Sequence, residues 1–185
     1  TLSEVVSFFG RSRSFAEILE LTMVFGGIPK YLEEITARDS VHQTVNRLCF
    51  AADSFFIEEA EHLLRSSFAR ESDKYKRVIK ALVKSESCNY DSLASQANSA
   101  KGSSFKRVLD NLVHSDIIER YTPVDKNGPT NFVRFKLSDE FLRFHFVFMS
   151  RTFPGFRKII EVGTYMACCS RKKNILSGRA ARLSD

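Results

Sequence analysis

The residues best placed to do chemistry lie in Ser103-Ser-Phe-Lys-Arg-Val-Leu-Asp-Asn-Leu-Val-His114. Phe105, Val108, Leu109 and Leu112 recur at helical spacing, so one face is apolar. The other face then turns Ser103, Ser104, Lys106, Arg107, Asp110, Asn111 and His114 outward. Hydroxyl and amide side chains bond base edges, and Lys106 and Arg107 suit phosphates or guanine. A following wing would add Lys126 and Arg134. Asp110 on the same face opposes a polyanion.

Other chemistries lack their residues. No G-x-x-x-x-G-K-[ST] stretch is present to cradle phosphates, and neither Gly10-Arg-Ser-Arg nor Lys101-Gly-Ser-Ser has that spacing. No acidic run after a strand suits a Walker B role. A G-x-S-x-G nucleophile motif is absent. Cys49, Cys88, Cys168 and Cys169 form no C-x-x-C pair and no Cys/His set with zinc spacing, so no metal site is expected. Glu58, Glu59 and Glu61 read as a solvated helix face, and His42 and His62 as surface residues. No catalytic residue is assigned, and this chain alone is not expected to hydrolyse ATP.

The elements that must position the 103–114 face follow from capping and periodicity. Thr1-Leu-Ser-Glu4 and Ser14-Phe-Ala-Glu17 are capping-box patterns. The second leads into Ile18, Leu19, Thr22, Met23 and Phe25, with Gly26 as the stop. Pro29 opens a short helix through Tyr31, Leu32 and Ile35. Asp39 or Ser40 caps a helix with Val41, Val45, Leu48 and Cys49. Phe56, Ala60, Leu63, Leu64 and Phe68 mark a longer one. These five helices are expected to pack as a bundle.

A second pattern starts at Ser72. Tyr75, Val78, Ile79 and Leu82 define one helix, Asn89 opens a second, and 103–114 is the third. Ile117–Tyr121 and Phe132–Leu137 read as strands around the Asp125–Pro129 turn. Three helices and a hairpin make a winged helix-turn-helix. Ser138-Asp139 then caps a Phe-rich helix. Its Phe141, Phe144 and Phe148 are expected on the winged unit. Leu142, Phe146 and Met149 await the bundle, the following segment or a second copy of the chain.

Charge is divided unevenly. Basic against acidic residues number seven to eleven in 1–72, thirteen to nine in 73–150, and eight to two in 151–185. With 43% hydrophobic residues a packed core is feasible. No run approaches a membrane span, and reduced thiols suit a cytoplasmic protein. The sequence opens on Thr1 without a signal-peptide pattern, which implies a piece of a longer chain.

Phe8-Phe9, Gly26-Gly-Ile-Pro-Lys-Tyr-Leu32, the winged helix and Leu137-Ser-Asp-Glu-Phe-Leu-Arg-Phe144, in this order, resemble the C-terminal half of the prokaryotic, archaeal-type AAA ATPases. That family is similar to the signal-transduction ATPases with numerous domains (STAND-like). The resemblance covers roughly residues 1–150. It implies a mainly α fold with a small β-hairpin wing. A helical ATPase lid would span 1–71, a winged helix-turn-helix 72–137, and a Phe-rich helix with the start of a C-terminal domain 138–185. It implies that Ile28 and Pro29 contact adenine while Gly26 and Gly27 let the backbone come close. ATP and Mg2+ would be bound by the parent chain through an upstream P-loop domain.

Two features depart from the family. His145 stands where an aromatic, often tryptophan, is usual. Ser177-Gly-Arg-Ala180 resembles the start of a nuclease-like domain, but Ala181-Arg182 replace its Phe-Glu, so nuclease chemistry has no support. The implied function couples nucleotide state to a DNA or protein partner. The alternatives are a free-standing winged-helix DNA regulator and a non-catalytic scaffold. A homo-oligomer through the Phe-rich helix is a further expectation.

Overall fold

The computed structural model describes residues 1–51, 53–68, 71–85, 87–123 and 133–150. Lys126, the 125–129 turn and the whole of 151–185 lie outside them.

The fold is mainly α with a small antiparallel sheet. The first region comprises α1 (Leu2–Phe9), α2 (Phe15–Phe25), α3 (Pro29–Glu33), α4 (Val41–Val45) and α5 (Phe56–Phe68). A π-helical turn, Asn46–Phe50, extends α4. Local chemistry sets the starts. Ser14 Oγ accepts from the Glu17 N–H at 3.3 Å, and Glu17 Oε2 accepts from the Ser14 N–H at 2.9 Å. Ser40 and Gln43 repeat that reciprocal pair before α4 at 3.2 and 2.9 Å. Gly26 ends α2 with φ 68°, a conformation costly for any residue with a Cβ.

The second region has the element order of a winged helix-turn-helix. Its elements are α6 (Ser72–Ser85), β1 (Ser87–Asn89), α7 (Tyr90–Gln96), α8 (Ser103–His114), β2 (Ile118–Tyr121) and β3 (Arg134–Leu137). The sheet order is β1-β3-β2, with Phe135 opposite both Cys88 and Arg120. Asn89 caps α7 by accepting the Ser92 N–H at 2.8 Å. Sequence patterning does not reveal β1. A run of Ser-Cys-Asn is too short to alternate, and pairing with the distant β3 is what makes it a strand.

The described chain closes on α9 (Glu140–Phe144), which continues as a π-helical turn, His145–Met149. Asp139 caps it, Oδ1 accepting the Leu142 N–H at 2.7 Å. The expected assignment of faces is corrected here. Phe141 packs on the bundle, its ring 5.0 Å from Tyr31 and 5.5 Å from Phe56, and Phe144 lies 6.3 Å from Phe50. Phe146 instead lies beside α6, with Lys80 Nζ 5.7 Å from its ring. Helical spacing fixes which residues share a face but not which neighbour that face meets. As a result α9 joins the two regions, and one hydrophobic core runs from Val5 to Met149.

Candidate functional site

The α2–α3 corner presents a short exposed edge. Gly27 and Pro29 are exposed and Ile28 is half-buried. The two glycines differ physically. At Gly26 nothing crowds a Cβ, but the positive φ disfavours one. At Gly27 a Cβ would meet Val5 Cγ2 at 3.5 Å, an ordinary contact, so the fold does not demand glycine there.

Directly behind the edge the corner is locked. Tyr31 is 1% exposed and sits among Phe55, Phe56 and Phe141. Its hydroxyl donates to Glu59 Oε1 at 2.9 Å. Burial, reinforced by Glu59, pushes the Tyr31 phenol well above its ordinary pKa, so it stays a neutral donor. Lys30 Nζ lies 3.7 Å from the same carboxylate oxygen and 4.5 Å from the Phe55 ring centroid. This corrects the reading of Glu58, Glu59 and Glu61 as a solvated face. Glu58 is exposed, but Glu59 is buried and serves α3, while half-buried Glu61 pairs with Lys76 of α6.

Two arginines that sequence reasoning passed over organise the loop after α3. Buried Arg13 donates through Nη2 to the Thr36 and Asp39 carbonyls, both at 2.7 Å. Arg47 donates to the Glu34 carbonyl at 3.1 Å and pairs with Asp39. Sequence patterning does not show these roles, because the carbonyls they bind lie 13 to 26 residues along the chain. His62 is exposed as expected, whereas His42 is half-buried.

The α8 face carries its expected side chains outward. Ser103, Ser104, Lys106, Arg107, Asp110, Asn111 and His114 are all exposed, as is Arg134 on β3. Two are already engaged. Asp110 lies 3.7 Å from the Arg120 guanidinium, which offsets the charge that opposed a polyanion. Asn111 Nδ2 donates to the Tyr75 hydroxyl at 2.8 Å, leaving its carbonyl and one N–H for a base. The Glu71 carboxyl is held below its ordinary range, first by Lys74 and further by Arg107. The α8 face and the α2–α3 corner are separate sites.

Among the described residues no group of three His, Cys, Asp or Glu is disposed to hold a metal, and no helix is long and apolar enough to cross a membrane. Cys49 and Cys88 are buried free thiols, and burial pushes the Cys49 thiol well up.

No family model matches the sequence, and no solved structure matches it. An uncharacterized protein of Methanocaldococcus jannaschii is 28% identical over 152 residues, covering 78% of this chain and 31% of that protein. The chain thus spans about a third of the length of that curated relative.

Proposed function

We propose that this chain is the nucleotide-sensing lid and winged-helix portion of a P-loop ATPase, coupling ATP state to a partner of the winged unit. The observation that carries this reading is the path from corner to wing. The exposed Gly27–Ile28–Pro29 edge is followed at once by Tyr31, whose ring packs on Phe141 at 5.0 Å. Phe141 belongs to α9, which leaves β3 of the wing after two residues. Moving the edge therefore presses on the helix that joins the two regions.

The residues present fit one part of the nucleotide. Ile28 and Pro29 offer an apolar edge to the adenine ring, and Gly27 leaves room beside it. Phosphate and Mg2+ contacts, and the hydrolysis that bound ATP supplies, belong to an upstream P-loop domain. The chain by itself should therefore bind Mg-ATP weakly. Calorimetry tests both halves of the reading. In the full-length parent, Ile28→Ala with Pro29→Ala should weaken ATP by roughly tenfold. Unchanged affinity there, or micromolar binding by this chain alone, sinks the lid assignment.

For the winged unit, duplex DNA is the partner that the α8 face fits best. Lys106→Glu with Arg107→Glu should weaken duplex binding and reduce its salt slope by about one unit for each phosphate no longer neutralised. An unchanged low-salt titration removes α8 from the DNA surface. The scaffold reading draws its support from elsewhere. Leu2, Phe8, Phe15 and Leu19 are exposed on α1 and α2, where apolar side chains favour a protein neighbour.

A further inference from the structure

We infer that the outer face of α6 is a second contact surface for duplex DNA, separate from α8. The inference rests on the reading that the winged unit binds DNA and adds a surface that reading does not contain. Arg77, Lys80 and Lys84 recur at i, i+3 and i+7 and are all exposed. On an α-helix they fall within one stripe about 60° wide and roughly 10 Å long. The opposite side of α6 is its core side, through buried Tyr75, Val78, Ile79 and Leu82. Asn111 of α8 reaches Tyr75 from that direction. The stripe and the α8 face therefore look out from different sides of the winged unit.

The stripe is uncompensated. Lys74 pairs with Glu71, and Lys76 with Glu61 and Asp73. None of Arg77, Lys80 and Lys84 has a carboxylate partner among the described residues. Lys80 instead lies over the Phe146 ring. Like charges three and four apart on a helix repel, so the arrangement costs stability until an anion is present.

The surroundings select the anion. Apolar or aromatic anchors carry most of the energy of a protein interface. The large hydrophobic residues exposed among the described residues are Leu2, Phe8, Phe15, Leu19 and Phe55, all in the first region. A phosphate backbone needs only cations, whose binding releases counterions. A row of bases without an apolar anchor fits the duplex backbone.

The test uses the full chain, a fluorescent duplex of about 20 base pairs and anisotropy titrations between about 50 and 200 mM salt. Arg77→Glu with Lys84→Glu should lower the salt slope by about two and weaken binding on the order of tenfold. Arg77→Gln with Lys84→Gln should act in the same direction with a smaller loss. Both pairs are exposed, and a thermal melt checks that the fold is kept. The loss should add in log K to that of Lys106→Glu with Arg107→Glu, because the faces are distinct. If both α6 variants keep parental affinity and slope while the α8 variant fails, the inference is overturned and the α8 reading stands. If the parent chain binds no duplex at about 50 mM salt, both fall. If polyglutamate of matched charge competes as well as duplex, the surface belongs to an acidic protein and the DNA assignment is wrong.

Discussion

The first region and the winged unit share one core yet meet solvent in opposite ways. In α1 and α2, Phe15 is 61% exposed and Phe8 49%, so large apolar surface remains uncovered. In α6 and α8 the outward positions include Arg77, Lys80, Lys84, Lys106 and Arg107, beside the acidic Asp73 and Asp110. Their interiors differ too. The bundle buries ionisable groups, Arg13 and Glu59, each fixed by hydrogen bonds to distant residues. Described α6–α8 bury mainly aliphatic and aromatic side chains, and their polar bonds, such as Asn111 to Tyr75, lie nearer solvent. On the proposed reading, the first region's surface would meet a folded neighbour and the winged unit's a polyanion. The joint between them is α9.

Phe141→Ala tests that junction most severely. Removing a ring that is 1% exposed should cost about 3–5 kcal/mol. Urea melts followed in both regions should shift together. Two separated transitions would show that α9 does not make them one cooperative unit.

Acid should strain the same junction from its other side. His145 is buried beside Phe141 and Phe146, and burial lowers its pKa from 6.5 to about 4, with Glu61 opposing the shift and Lys80 adding to it. Above pH 6.5 the ring is neutral folded or unfolded, and its contribution is fully present. As pH falls toward 4 the unfolded chain takes up the proton first, and about 3 kcal/mol is lost. Asp139 works the other way, because burial raises its pKa and favours the folded state as that carboxyl protonates. His145→Leu separates the two, removing the loss between pH 6.5 and 4. Parallel stability–pH curves for parent and variant would contradict this account.

A smaller contrast sets buried polar bonds against exposed ones. Tyr31→Phe leaves the buried Glu59 without its hydroxyl donor and should cost about 1–3 kcal/mol. Asn111→Ala removes a part-buried bond whose donor is exposed, and should cost below about 1 kcal/mol. Equal losses in chemical denaturation would erase the difference between the two interiors. Smallest of all is the split between neighbouring glycines. Gly26→Ala should lose about 1 kcal/mol to backbone strain. Gly27→Ala should change stability by less than about 0.5 kcal/mol. A large loss at Gly27 would tie it to the fold and remove the freedom that a ligand-facing role needs.

Helix starts were legible because their chemistry is local. Ser14 with Glu17, Asn89 with Ser92, Pro29 at a first helical position and Asp139 before α9 each act within three residues. The winged order was legible from periodicity, and the outward side of α8 followed from its apolar stripe. What escaped depends on partners far along the chain. β1 exists only against β3, Arg13 finds carbonyls at Thr36 and Asp39, and Glu59 finds Tyr31 across the bundle. A helical pattern could place Glu59 near the core boundary but could not supply its donor. The reversed faces of α9 have the same origin.

The π-helical turn at His145–Met149 has a consequence for length variation. Such a turn accommodates one residue more than an α-helical turn, so it behaves as a retained insertion. Deleting the half-buried Val147 would let α9 run on as regular helix. Residues after the deletion would then keep their face, because an i→i+5 turn covers nearly the same angle as the i→i+4 turn that replaces it. Met149, now 2% exposed, would stay in the seam although one residue before it is gone. At this turn a one-residue gap leaves the direction of the chain unchanged, and relatives aligned across it should be compared by turn and not by residue count.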